Sequence, residues 1–437
     1  MKRAMLLLMH QGKSFTREAS AAAAKLGLPL VALSSRPERP EVLEESRRYL
    51  ADCLVTEAPE LGTEDVEDVV RGFADRGYAI EAAIATFEGY RLWMATLNRA
   101  LGAPDSSVRA LKLCLNKYDL RQFLFQRKLS DVRSHPLTSP TLPRLDPSAR
   151  WFVKPVRGAS SFAAFILEDL HDLDDLPRIQ EQMRNDHRMN AIFMNQYGFL
   201  VEEYVEGPEL SFETIVLDDV WHMCIQEKAR VERLERTTLE AMSISPPNSV
   251  SREVLLRGAD FVSRCFAELT ELGLTAGAFH VEAKYWIDRD RWEIIEINPR
   301  MGGSLINASV KALTGESILE LWMESLLLAD SRRDAFRARL ERASQLGSLR
   351  DGTAAKATVF LSKYGKKGKT IDSIHFDPQT RKPQILKLHV EAGTKLDDSD
   401  RAICLMDALW EVDTENLAAE VEFLDRQATE HFHVHYR

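Results

Sequence analysis

The segment GAFHVEAKYWIDRDRWEIIEINPRMGG, residues 277–303, concentrates the groups most able to do chemistry. Residues 281–287 and 292–297 are rich in β-formers and flank a polar turn, which is the pattern of a β-hairpin. With the turn centred on Arg289, Glu282 falls directly opposite Glu296, and both point to the face that also carries Asn298. Opposed side chains lie about 4.5–5.5 Å apart at Cβ, where like charges repel, so something positive should sit between the two carboxylates. Two carboxylates and an amide are hard oxygen ligands of the kind that holds magnesium together with substrate phosphates. The bland alternative is a solvated surface hairpin, and Ile294, Ile295 and Ile297 weigh against it because they imply that both faces are covered.

Other candidates lie upstream. Lys154 ends an apolar strand at 151–153 and precedes PVRGASSF, a loop in which Gly158, Ser160 and Ser161 leave backbone N–H groups free to approach phosphate oxygens. An ordinary surface turn is an equal reading of that loop. Lys117, in LNKYDLRQFL, begins a helix and reads equally as a solvated side chain. In FLVEEYVEGPELSFETIV a buried strand, a Gly-Pro break and a second strand suit an adenine pocket. An extended linker offers its backbone to the purine edge, and Glu209 can accept hydrogen bonds from ribose hydroxyls. The alternative is a plain hairpin with Glu202, Glu203 and Glu206 on its wet side. His280 is read as facing away from Glu282, in a packing role, and His431, His433 and His435 as one face of a terminal edge strand rather than a metal site.

The elements that must position these groups alternate between strand and helix. The chain opens with strand 5–9, helix 15–26 and strand 28–33, and a second unit carries a buried strand at 82–86 and a helix at 90–101 ended by Gly102. The prolines at 136, 140, 143 and 147 rule out regular helix over 134–148. This organisation predicts an α/β (α+β) chain with an N-terminal α/β domain at 1–105, a central domain at 106–330 and a C-terminal lobe at 331–437, the last containing a strand at 353–362. Gly12-Lys13-Ser14 is not the end of a P-loop, because Leu7 stands where that motif needs glycine.

Composition narrows the function classes. The 437 residues suffice for several packed cores, and a net charge of -10 with interleaved signs argues against a surface built to hold nucleic acid. Five scattered cysteines without a C-x-x-C pair fit a reduced, cytoplasmic protein. The apolar run 4–9 is too short for a signal peptide, and no run approaches the roughly 20 residues of a spanning helix.

Taken in order, these pieces over about 113–330 resemble the ATP-grasp superfamily. The resemblance implies an ATP-grasp fold behind a preATP-grasp domain, with ATP and magnesium as cofactors, two ions of it, replaceable by manganese. It makes Lys117 and Lys154 the nucleotide-binding lysines and puts Gly158, Ser160 and Ser161 in a phosphate-covering loop. It assigns Glu202, Glu203 and Val205 to adenine, Glu209 to ribose, and Glu282, Glu296 and Asn298 to the metal. Within the superfamily, His280-Val281-Glu282 with Lys284, Glu296 and Arg300 is similar to the L-amino acid ligases of the bacilysin-synthetase type. That similarity implies an acyl phosphate attacked by an amine, with Arg300 stabilising the oxyanion, Gly302, Gly303 and Ser304 beside the carboxylate substrate, and a homodimer through the first domain. Arg300 pairing with Glu282 or Glu296 is the structural alternative. Two other functions stay open: a carboxylase using bicarbonate through carboxyphosphate, and an ATP-binding module without catalysis.

Overall fold

The structure, a computed structural model, describes residues 1–138, 141–159, 161–170, 175–234, 237–377, 381–396 and 403–437. Near the N-terminus, four parallel strands stand in the order Asp52–Val55, Leu30–Ser34, Lys2–Met9, Tyr78–Ile84. Residues 4–9 are fully buried, which is why the central strand reads as an unbroken apolar run: a parallel sheet is covered on both faces. Helices Thr16–Lys25 and Thr63–Ala74 supply apolar side chains to that core. Helix Arg91–Leu101 ends where Gly102 takes φ 75°, a left-handed conformation that glycine adopts without strain.

Besides the antiparallel pair Ile371–Phe376 and Phe432–Tyr436, two antiparallel sheets follow among the described residues. The smaller has the order Ser134–Pro136, Phe199–Glu203, Trp151–Pro155, Phe165–Ile166. The larger has eight strands, in the order Arg291–Asn298, Ala276–Trp286, Glu209–Leu217, Asp219–Leu234, Thr237–Ser245, Lys356–Tyr364, Cys404–Asp413, Ile385–Leu388. It therefore joins strands from both sides of residue 330. The expected strand at 353–362 is Lys356–Tyr364 in this sheet. Helix Arg252–Thr270 packs on the hairpin, and Gly258 permits the approach: a Cβ there would sit 2.6 Å from the Trp292 ring.

The hairpin is longer than the pattern suggested, Ala276–Trp286 with Arg291–Asn298, and a 3-10 turn at Ile287–Arg289 joins its strands. Glu282 pairs with Glu296 and His280 with Asn298, the register expected for a turn centred on Arg289. Beyond Glu282 a bulge leaves Ile295 without a partner, so Ala283 pairs with Ile294 and the rest of the hairpin is offset by one.

Two expectations are corrected. The segment around Glu202 is not one hairpin: Phe199–Glu203 and Glu209–Leu217 belong to different sheets, and Glu202 and Glu203 are buried while Glu206 is exposed. Nor do the three terminal histidines share a strand face. His431 ends the helix Leu417–His431, which packs Leu424 and Ala428 inward, and only His433 and His435 alternate on the exposed side of Phe432–Tyr436. Among the described residues no helix is long and apolar enough to cross a membrane.

Candidate functional site

Glu282 and Glu296 face each other with about a sixth of each side chain exposed, and Asn298 donates to Glu296 Oε1 at 2.7 Å. The positive charge that their opposition demands comes from two lysines. Lys117 Nζ lies 2.9 Å from Glu296, and Lys228 Nζ lies 3.1 Å from Glu282 while also pairing with Glu209. Burial works against charge on Glu282, but Lys228 and His280 outweigh it and hold the carboxyl well below the usual range. Glu296 is lowered in the same way by Lys117, against burial and the repulsion of Glu282.

The two expected lysines differ. Lys117, at the start of helix Lys117–Gln126, also donates to the Gly158 carbonyl at 2.7 Å, so it bridges the hairpin and the loop. Burial opposes its charge, yet Glu296 and Glu88 raise its pKa. Lys154 sits 2.6 Å from Glu202 and donates to the carbonyl of Ile295, the residue left over at the bulge, at 3.2 Å. Here burial prevails and lowers the lysine's pKa. In the loop, Ser161 is exposed with φ 53°, and Ser160 lies outside the described residues.

The linker acids are committed. Glu202 pairs with Arg121 at 3.2 Å and with Lys154, and Glu203 pairs with Arg133 at 3.1 Å and Arg289 at 2.7 Å. Val205 is buried against Val132, Trp286 and Ile295.

His280 corrects its expected direction. Residues two apart in a strand share a face, so the ring lies on the side of Glu282, 3.1 Å from its Oε1, and its Nδ1 pairs with Glu213. Burial disfavours a charged imidazole, but Glu213 and Glu282 override it and raise the pKa to about 10. Arg300 pairs with neither hairpin acid. Its Nη2 lies 3.2 Å from Glu88, in the 3-10 turn Glu88–Tyr90, and its Nη1 donates to the Met301 carbonyl. The Gly302 N–H donates to Glu213 at 3.1 Å, and a Cβ on Gly302 would fall 2.6 Å from Ile306, so helix Ile306–Thr314 requires glycine there. Around Gly303 there is open space, and the Ser304 hydroxyl donates to Asp407.

The structure thus gathers Lys117, Glu209, Glu282, Glu296 and Asn298 and links them to Gly158. It adds Lys228, Glu213 and Glu88, which sequence reasoning missed. Glu213 carried a usable signal, as a charged residue inside a mostly apolar strand, whereas Lys228 stands in the charged run QEKARVER and is not distinguished there. Glu88, in FEGY, carried none.

Residues 149–308 match the family profile of the ATP-grasp domain. No curated protein sequence matches the chain. Among solved structures, the L-amino acid ligase from Bacillus licheniformis superposes with a TM-score of 0.76 at 19% identity over 100% of both chains. Phosphoribosylglycinamide synthetase from Anaerococcus prevotii gives 0.67 at 13%, again over 100% of both. The biotin carboxylase domain of Hydrogenobacter thermophilus 2-oxoglutarate carboxylase gives 0.65 at 13%, over 99% of this chain and 90% of that one. The chain therefore carries an ATP-grasp domain and has the ATP-grasp fold that its motifs resembled.

Proposed function

We propose that the chain is an ATP-dependent, ADP-forming carboxylate–amine ligase that works through an acyl phosphate and joins two amino acids, or an amino acid and a small carboxylic acid. The observation that carries this reading is the pairing of Glu282 with Glu296 beside Asn298, Glu296 countered by Lys117 and Glu282 by Lys228 and His280. Such a face can exchange lysine contacts for a metal nucleotide, and its donor atoms suit magnesium. Glu282, Glu296 and Asn298 would hold magnesium, which would supply positive charge against the γ-phosphate.

The chain's own groups do the positioning. Lys117 and Lys154 neutralise phosphate oxygens, and Gly158 and Ser161 cover them with backbone N–H groups. The linker backbone around Val205 borders adenine and Glu209 accepts from ribose. Glu202 and Glu203 shape that pocket through their ion pairs. A carboxylate is a poor electrophile until phosphorylation supplies a leaving group, after which an amine attacks and negative charge develops on the acyl oxygen. Arg300, which pairs with Glu88, meets that charge in this reading, while Gly302, Gly303 and Ser304 border the carboxylate. A cytoplasmic setting fits five cysteines that form no disulfide.

A second reading keeps the ATP site and uses bicarbonate, because a structural relative is a biotin carboxylase domain solved with magnesium ADP and bicarbonate. A phosphate-release screen of amino acid pairs, with bicarbonate in a parallel arm and mass detection of products, separates the two. Arg300→Ala tests for a pure ATP-binding module. The ligase reading expects ATP affinity to persist and turnover to fall by roughly 10²–10³. Wild-type protein that forms no product in any mixture would favour the module.

A further inference from the structure

Strand Cys404–Asp413 is apolar and buried from Leu405 to Trp410 except at Asp407, whose carboxylate is 2% exposed. Four donors converge on it. Ser362 Oγ at 2.6 Å and Cys404 Sγ at 3.2 Å approach Oδ1, while His389 Nε2 at 2.7 Å and the Ser304 hydroxyl approach Oδ2. One ligand atom from each of His389, Cys404 and Asp407 lies within 4.8 Å of the others, and among the described residues this is the group of three or more such side chains that converges so closely.

We propose that His389, Cys404 and Asp407 form a binding site for a zinc-class transition-metal ion, distinct in place and in ligand chemistry from the Glu282–Glu296 face. Ligand atoms around tetrahedral zinc stand about 3.5 Å apart, a spacing these three reach by small side-chain adjustments. A thiolate and a carboxylate balance a dication, and the thiol's proton passes to solvent as the metal–sulfur bond forms. Sulfur and imidazole select zinc or cobalt, whereas magnesium prefers the all-oxygen set on the hairpin. The hydroxyls of Ser362 and Ser304 fill the remaining acceptor positions of Asp407, the outer hydrogen bonding that orients a ligating carboxylate. Entry is open, since His389 is exposed and Cys404 half-buried, and a water can complete the coordination.

The site does not depend on the ligase reading, although Ser304 would carry its rigidity into the 302–304 loop. The test uses the full chain, stripped with a chelator and titrated with cobalt(II) and then zinc(II) under excess magnesium. The expected result is one equivalent of cobalt with a thiolate-to-metal charge-transfer band. Cys404→Ser should remove the band, and His389→Ala, at an exposed position, should weaken zinc binding at least roughly tenfold. His433→Ala, on the terminal strand, should change neither. Cobalt that binds without the band, or unchanged binding in both Cys404→Ser and His389→Ala, would overturn the proposal and leave the cluster as a hydrogen-bonded brace.

Discussion

Strand Arg291–Asn298 sends two acids into two different charged clusters. Glu293 is fully buried, with Arg291 Nε at 3.0 Å, Arg121 Nη1 at 3.4 Å and the Asp131 N–H at 3.0 Å. Arg121 extends that cluster to Glu202, and Lys154 closes it. Glu296, three residues on, has one lysine, one amide and a partly exposed side chain, and it faces Glu282, which is as exposed and is held by Lys228 and His280. The difference separates a brace from a site. The first cluster satisfies its carboxylates from within the fold and has no need of a further cation, whereas the second holds like charges together and gains by accepting one.

The largest expected effect comes from opening the brace. Arg121→Met leaves Glu202 and Glu293 buried without their shared cation, and denaturant unfolding should show a loss of about 3–5 kcal/mol. An unchanged midpoint would erase the distinction between the clusters. On the other side, Glu296→Ala should reduce magnesium-dependent ADP formation by roughly 10²–10³, about 3–4 kcal/mol in barrier, with a smaller fall in Tm than Arg121→Met causes. Undiminished turnover would sink the metal assignment.

Acid stability sharpens the comparison, because two histidines outside both clusters are buried without a carboxylate partner. Burial lowers both His10 and His222 to about 4, below the 6.5 of an exposed imidazole. Between those values the unfolded chain binds more protons than the folded one, so their contribution is complete above about pH 6.5 and is lost as pH falls toward 4. A shift of that size corresponds to about 3 kcal/mol for each group across the full window. His222→Asn should therefore shrink the gap in Tm between pH 7 and pH 4.5, and an unaltered gap would contradict the burial argument. The smallest effect is expected at the rim of the linker. Glu206 and Arg150 form an exposed pair at 3.1 Å, and Glu206→Gln should cost no more than about 0.5 kcal/mol by thermal melting.

The hairpin was legible because a strand's period of two and a short turn determine which residues face each other. The bulge at Ile295 was not, since nothing in IIEIN distinguishes a paired isoleucine from an unpaired one. The same period, applied consistently, puts His280 beside Glu282. The N-terminal βαβ unit followed from apolar runs that a parallel sheet buries whole. What stayed hidden depends on partners distant in the chain. Glu202 looks like a linker acid until Arg121 and Lys154 are brought to it, and Arg300 finds Glu88 from more than two hundred residues away. Asp407 was readable in principle, as a single acid within LMDALW.

The central claim is tested most directly by incubating the chain with ATP, magnesium and pairs of amino acids while measuring phosphate release and product mass. ADP and phosphate should form together with a product whose mass is the sum of the two substrates less one water, all of them reduced by roughly 10²–10³ with Glu296→Ala. Turnover that needs bicarbonate and yields a carboxylated product, or a condensed product formed equally well by Glu296→Ala, would contradict it.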